Sequence, residues 1–223
     1  METNNVTRWL NENFADYDYT ILKELHDFAV STNGAFTPFF EGLSILFEKG
    51  IILFVIAIIM CCFRRTRKIG ICMFGAVCCG ALITNILLKD LIARPRPFVD
   101  VNNIYHSWWQ FVGSSKETAF SFPSGHVTAT MAAMTTIFAY CKKRYSWISF
   151  LLVIIMGIAR NYLMVHYPSD VLGGIVSGLI SAIVAYNITE IIYYILEKYQ
   201  KNRFFKFILM CKKAGPIFIE PAI

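Results

Sequence analysis

The chain has 223 residues, of which 56% are hydrophobic and 16% charged, with a formal net charge of +6 and a mean hydropathy of +0.52. Soluble domains carry about 25% charged residues, so this composition excludes an ordinary soluble fold and points to a single membrane domain. The basic residues cluster between apolar runs rather than along a groove, so nucleic acid is not an expected partner.

Residues 1–42 hold seven acids against Arg8 and Lys23. A polar, acidic start does not read as a cleavable signal peptide. Residues 19–30 predict an amphipathic helix, with Ile21, Leu22, Leu25 and Phe28 on one side. It is too short and too polar to span, so it should lie flat on the membrane surface or against the bundle. His26 reads as an interfacial histidine.

Five apolar spans follow. Residues 50–63 fall short of the roughly 20 needed for a crossing, so the first span should begin near Leu43 and take in Glu48 and Lys49 at its entrance. The second, 69–92, contains Gly70, Gly75 and Gly80. The third, fourth and fifth are 124–141, 146–165 and 171–196, the last with Gly174 and Gly178. Small residues at such spacing let helices approach closely. The predicted fold class is all-α: an integral-membrane bundle of about five transmembrane helices plus an N-terminal amphipathic interfacial helix. The expected division is an acidic segment at 1–42, a membrane domain at 43–196 and a basic tail at 197–223.

Charge sets the orientation. The loop carrying Arg64, Arg65, Arg67 and Lys68, the loop carrying Lys142, Lys143 and Arg144, and the tail hold 13 of the 21 basic residues. With five spans all three fall on one side, the cytoplasm by the positive-inside rule. Cys61, Cys62, Cys72, Cys78, Cys79 and Cys141 sit in or beside apolar spans, and Cys211 sits in the tail. Their adjacent pairs lack the spacing of a zinc site, and none falls in a segment expected outside, so neither a metal nor a disulfide is predicted.

The outer ends of the spans carry the chemistry, where ionisable groups are costly and usually functional. Lys89 falls in the last turn of the second span, because Arg94 precedes a proline and should end the helix near there. With Arg96 in the stiff loop beyond, an ammonium and a guanidinium can grip a tetrahedral dianion. Arg94 itself reads as a snorkelling helix-end residue. Pro123-Ser124-Gly125-His126 opens the third span. There the free N–H groups of a helix start, uncovered by glycine, suit an anion, and His126 is placed to donate a proton. Arg160, His166 and Asp170 form the third cluster, with Asp170 four residues beyond His166 to hold one ring nitrogen. A structural salt bridge from Asp170 to Arg160 is the alternative. In the loop 102–120, Tyr105, Trp108, Trp109 and Phe111 read as an aromatic belt, and His106 as non-catalytic.

Together these clusters resemble the type 2 phosphatidic acid phosphatase superfamily. Lys89 to Arg96-Pro97, then Pro123-Ser124-Gly125-His126, then Arg160, His166 and Asp170 match its three sequence blocks in order and spacing, over roughly 43–196. The departure is Ala159, where the family pattern has serine. The resemblance implies a membrane lipid phosphatase, similar to small bacterial undecaprenyl-diphosphatases or phosphatidylglycerophosphatase B members. Its substrate would be a phosphorylated lipid such as undecaprenyl diphosphate, phosphatidylglycerol phosphate or phosphatidic acid. It implies His166 as nucleophile, Asp170 as its orienting partner and His126 as acid, with Lys89, Arg96, Ser124, Gly125 and Arg160 holding the phosphate. No metal or other cofactor is implied. The expected location is a bacterial plasma membrane, with the site outside and the C-terminus cytoplasmic. A lipid phosphotransferase would use the same residues. A transporter with an anion site and a metal hydrolase using His126, His166 and Asp170 are the remaining alternatives; transporter sites lie nearer the bilayer midplane.

Overall fold

The computed structural model describes residues 4–198, and over them it is helical with no strand. The tail residues Lys201, Arg203, Lys206, Cys211, Lys212 and Lys213 lie outside the described residues. Two amphipathic helices come first, α1 (Asn5–Asn13) and α2 (Ala15–Ser31). Asn4 caps α1 by accepting from the Val6 N–H at 2.7 Å. The helical N-terminal stretch is therefore longer than the 19–30 expected. It packs on the bundle, with α2 against α10 (Phe150–Tyr162) and α11 (Pro168–Lys198). The Thr7 hydroxyl and the Asn4 amide donate to the carbonyls of Ile92 and Leu91.

Four described helical stretches are long and apolar enough to cross a membrane: Thr37–Cys62, Arg67–Ile92, Lys143–Tyr162, which opens on the short α9 (Lys143–Ser146), and Pro168–Lys198. The first is broken. α3 (Thr37–Leu46) and α4 (Ile51–Cys62) are joined by a short turn in which Lys49 and Gly50 take φ of 51° and 70°. Glycine tolerates that conformation, and it ends one helix and starts the next. The expected entrance at Glu48 and Lys49 is thus a corner. The second runs as α5 (Arg67–Ala81), a wider π-type stretch over Leu82–Leu88, and α6 (Lys89–Ile92). It stops at Ala93, which is left-handed with φ 50°, just before Arg94-Pro95 as the proline requires.

The third expected span differs. α8 (Gly125–Tyr140) has 16 residues, about 24 Å at 1.5 Å per residue, against a hydrocarbon core of about 30 Å. It is nonetheless the centre of the bundle, packed by α5, α10 and α11. Small residues allow that. A Cβ added at Gly178 would lie 2.6 Å from the Thr128 carbonyl oxygen, and one at Gly70 2.6 Å from that of Ala57. Helix backbones therefore touch at both places. Outward faces carry Ile51, Ile58, Ile154, Ile183 and Ile191, all more than half exposed or close to it, which suits lipid rather than water.

The loop between α6 and α8 holds a short helix, α7 (Ile104–Phe111). Trp108 is buried and stacks on His26 with ring centroids 4.7 Å apart, and Tyr19 and Tyr105 pack on it. It pins α2 to the loop between α6 and α8, with its ring buried in the protein.

Candidate active site

The three sequence clusters converge at one end of the bundle, around a cavity of about 950 Å³. Lys89, Arg96, Gly125, His126, Arg160 and His166 line it. Ser124 and Asp170 stand behind the wall, fully buried. α6 brings Lys89, the loop after it Arg96, the start of α8 Gly125 and His126, the end of α10 Arg160, and the turn before α11 His166. The broken first span adds Ser44 to the same wall, and the π-type stretch adds Asn85. Wide turns of that kind recur at functional sites.

His166 is 1% exposed. Its Nδ1 lies 3.5 Å from Asp170 Oδ2 and 3.4 Å from the Ser121 hydroxyl, which donates to Asp170. Its Nε2 faces the cavity, 3.4 Å from Arg96 Nη1. Burial, reinforced by the Arg96 and Arg160 charges, holds the imidazole well below its usual range. It is therefore neutral at physiological pH. With Nδ1 turned to the carboxylate, the free lone pair falls on Nε2. The Asp170 contact is longer than a made hydrogen bond, as catalytic contacts often are without substrate.

Asp170 is held more firmly than the sequence implied, and by a different cation. It accepts from Arg94 Nη1 at 2.7 Å and from the Tyr167 N–H at 2.8 Å, not from Arg160. Arg94 is 1% exposed, so it does not snorkel. Its guanidinium also donates to the Ser169 hydroxyl at 2.7 Å, Asp18 at 2.9 Å and Asn11 at 2.9 Å, and lies 4.0 Å over the Tyr167 ring. Asp18 in turn accepts from the Ser169 N–H and hydroxyl. The network behind His166 thus runs into the N-terminal helix.

The start of α8 is open on two counts. The Ser124 hydroxyl is buried with no hydrogen-bond partner and does not cap its helix. The N–H groups of the first turn have no acceptor within a helix. A Cβ added at Gly125 would meet only Asn85 Oδ1, at 3.9 Å. Not every amide is spare, since the Ser124 N–H donates to the Asp170 carbonyl at 3.1 Å. His126 Nε2 lies 3.1 Å from the Ser44 carbonyl, which fixes that nitrogen as the N–H and leaves Nδ1 to exchange a proton.

Arg96 is anchored through the carbonyls of Ala119 (2.7 Å) and Val165 (2.8 Å). Burial lowers it to about 10, so it stays charged. Arg160 donates from Nη1 to the Ser44 hydroxyl, while its Nε has no partner. Both guanidiniums meet Glu117: Arg160 through Nη2 to Oε1 and Arg96 through Nη2 to Oε2 at 3.2 Å. Burial acts to raise the Glu117 carboxyl, but Arg160 and Arg96 outweigh it and hold it at about 2. Glu117, Ser121, Ser44, Asp18 and Arg94 were not among the expected site residues. No His, Cys, Asp and Glu grouping among the described residues could hold a metal, and the lining cations would repel one. His106 bonds the Phe98 carbonyl at 2.6 Å in the loop between α6 and α8 and is not in the cavity wall. Ala159, in place of serine, is fully buried among Tyr162, Leu163 and Val165.

The PAP2 superfamily model matches residues 68–193, more than half of the chain. The chain belongs to the PAP2 superfamily. Lipid A 1-phosphatase of Rhizobium etli is 37% identical over 123 residues, which are 52% of this chain and 50% of that protein. Undecaprenyl-diphosphatase of Sulfolobus acidocaldarius is 32% identical over 113 residues, 50% of this chain and 51% of that protein. The chain spans about half the length of these curated relatives. Among solved structures, Aquifex aeolicus LpxE superposes with a TM-score of 0.57 at 25% identity, over 70% of this chain and 90% of that one. The PAP2-type phosphatidylglycerolphosphate phosphatase of Bacillus subtilis superposes with a TM-score of 0.62 at 24% identity, over 83% and 90%. The PAP2 fold is thus shared well beyond the matched segment, and the protein is an integral membrane one.

Proposed function

We propose that this PAP2 protein is a metal-independent phosphatase of lipid phosphates or diphosphates that works through a phosphohistidine on His166. The observation that carries this is the neutral, buried imidazole of His166, with Nδ1 toward Asp170 and Nε2 toward a cavity lined by Lys89, Arg96 and Arg160. In the first step the Nε2 lone pair attacks phosphorus and the bond to the leaving oxygen breaks. Asp170, itself held by Arg94, stabilises the positive charge that develops on the ring. His126 enters this step as the imidazolium, a form that the bound phosphate dianion favours, and with its Nε2–H kept on the Ser44 carbonyl it gives its Nδ1 proton to the leaving oxygen and becomes neutral. In the second step it takes a proton from water, which attacks phosphorus and breaks the P–N bond. Lys89, Arg96, Arg160, Ser124 and the Gly125 amide carry the charge of the equatorial oxygens, so positioning and electrostatics supply most of the acceleration.

The substrate class is a lipid phosphate or diphosphate, as the names of the relatives from R. etli and S. acidocaldarius indicate for those proteins. Undecaprenyl diphosphate, phosphatidylglycerol phosphate and phosphatidic acid are the candidates, with a lipid A phosphate added by the relatives. The site faces the outside of a bacterial plasma membrane and the C-terminus the cytoplasm. That topology needs α8 to count as a fifth crossing, and rests on Arg64, Arg65, Arg67, Lys68, Lys142, Lys143 and Arg144 sharing one side. The acidic 1–42 segment then covers the outer face, and 197–223 is the cytoplasmic tail.

The test is phosphate release by detergent-purified protein from that lipid panel, in excess chelator, beside His166→Ala. Release that persists with chelator and vanishes in the variant, with an acid-labile phosphoenzyme trapped on the wild type, supports the reading. A requirement for added metal, or no turnover of any lipid phosphate, sinks it. A phosphotransferase would show the same phosphoenzyme but deliver phosphate to an added lipid alcohol in preference to water.

A further inference from the structure

Two guanidiniums that the proposed reaction assigns to the substrate phosphate are already bridged by an anion of the protein itself. Glu117 sends one carboxylate oxygen to Arg160 and the other to Arg96, and it lines the same cavity as His166 and His126. A carboxylate spanning two guanidiniums satisfies the same fork geometry as two phosphate oxygens. It does not complete the site, because Arg160 Nε and the Ser124 hydroxyl stay buried without partners. A bound phosphate needs the two arginine faces that Glu117 holds. Its carboxylate and a phosphate dianion cannot share them, since like charges at that distance repel strongly.

We infer that Glu117 is an affinity-setting residue for this site: its carboxylate occupies the phosphate position, and any substrate must displace it. This rests on the phosphatase reading of the cavity. Glu117 has a way out, because its side chain is 25% exposed and the chain around it, between α7 and α8, has no regular structure. Displacement lowers the affinity of every anion by the same factor, as any rarely populated competent state does. The consequence is a threshold rather than a changed ratio. A phosphate monoester or diphosphate, dianionic or more and bound by three cations, clears it. A monoanionic phosphodiester, the headgroup linkage of bulk phospholipids, does not. The site is thereby kept clear of the lipid that surrounds it.

The bland alternative is that Glu117 merely aligns Arg96 and Arg160. The two roles predict opposite signs. The experiment measures the dissociation constants of methylphosphonate, a dianion whose P–C bond the enzyme cannot cleave, and dimethyl phosphate for wild type, Glu117→Gln and Glu117→Asp in detergent at pH 8.5. Self-occupancy predicts that Glu117→Gln binds both anions tighter, by about tenfold or more, with their ratio unchanged, because the occupied fraction is removed for both. Glu117→Asp, which keeps the charge, should fall between. Unchanged or weaker methylphosphonate binding in Glu117→Gln overturns the inference in favour of alignment. A second measurement needs no variant: saturating the wild type with methylphosphonate should speed backbone hydrogen exchange over residues 115–120, and slowed or unchanged exchange there overturns it. Both readouts are equilibria without turnover. Failure to hydrolyse any lipid phosphate would therefore sink the phosphatase reading alone, and tight lipid turnover with no gain in anion binding would sink this inference alone.

Discussion

Arg94 Nη1 lies 2.7 Å from Asp170 Oδ1, so the carboxylate behind His166 is held by a cation that does not line the cavity. The same guanidinium pairs with Asp18 of α2, and both acids are at most 3% exposed. Removing Arg94 would leave two buried carboxylates facing each other. Arg94→Ala is therefore expected to cost about 3–5 kcal/mol, read as a lower midpoint of thermal unfolding in detergent. Arg94→Lys should recover only part, since one ammonium cannot serve Asp170, Asp18, Ser169 and Asn11 at once. Restoration of most stability by Arg94→Ala with Asp18→Asn would tie the loss to the uncompensated charges.

The contrast between this network and the three motif clusters shows what the sequence could disclose. Lys89, Arg96, His126, Arg160 and His166 were legible because each lies in a short string at a span end, where a charge needs a reason. Asp18 and Glu117 were not, because each sits in an ordinary polar stretch and acquires meaning only through partners far along the chain. Arg94 is 76 residues from both of its acids. Local spacing favours neither pairing, and proximity alone suggested Arg160 for Asp170. The spans were legible from apolar length, apart from two local features. Lys49-Gly50 turns a corner by left-handed backbone, which apolar counting does not see, and α8 is short because its ends are set by Pro123 and the Lys142 loop.

His126 and His166 should separate under a change of leaving group. If His126 protonates the leaving oxygen, His126→Gln slows hydrolysis of an alkyl phosphate by about 10²–10⁴-fold. The loss should shrink for p-nitrophenyl phosphate, whose phenolate leaves without a proton. His166→Ala should abolish both. Equal losses on the two substrates for His126→Gln would show that it serves binding instead.

Acid should destabilise the fold through His166. Its folded value lies below the ordinary 6.5, so below pH 6.5 the unfolded state takes up a proton that the native state refuses. Stability contributed by the neutral ring is complete above pH 6.5 and falls by about 1.4 kcal/mol per unit below it. Glu117 acts in a separate window, from its unfolded value of about 4.3 down to about 2 in the fold. Between pH 6.5 and 5 the wild type should therefore lose more thermal stability than His166→Gln, which has nothing to protonate. Parallel losses in the two proteins would show that another group carries the acid response.

The contact between α8 and α11 fixes where His126 stands relative to His166, since the first opens α8 and the second precedes α11. At its tightest point Gly178 meets the Thr128 carbonyl and the Met131 side chain, where an added Cβ would sit 2.6 Å from each. A backbone carbonyl cannot swing aside, so Gly178→Ala must push the helices apart. The expected cost is about 1–3 kcal/mol. Gly75→Ala, whose Cβ would find Ala185 at an ordinary 3.6 Å, should be near neutral. Activity should follow the same order, with kcat falling in Gly178→Ala because the two histidines are no longer set across one phosphate. A neutral Gly178→Ala, in both unfolding midpoint and turnover, would mean that the helices do not approach this closely in the membrane.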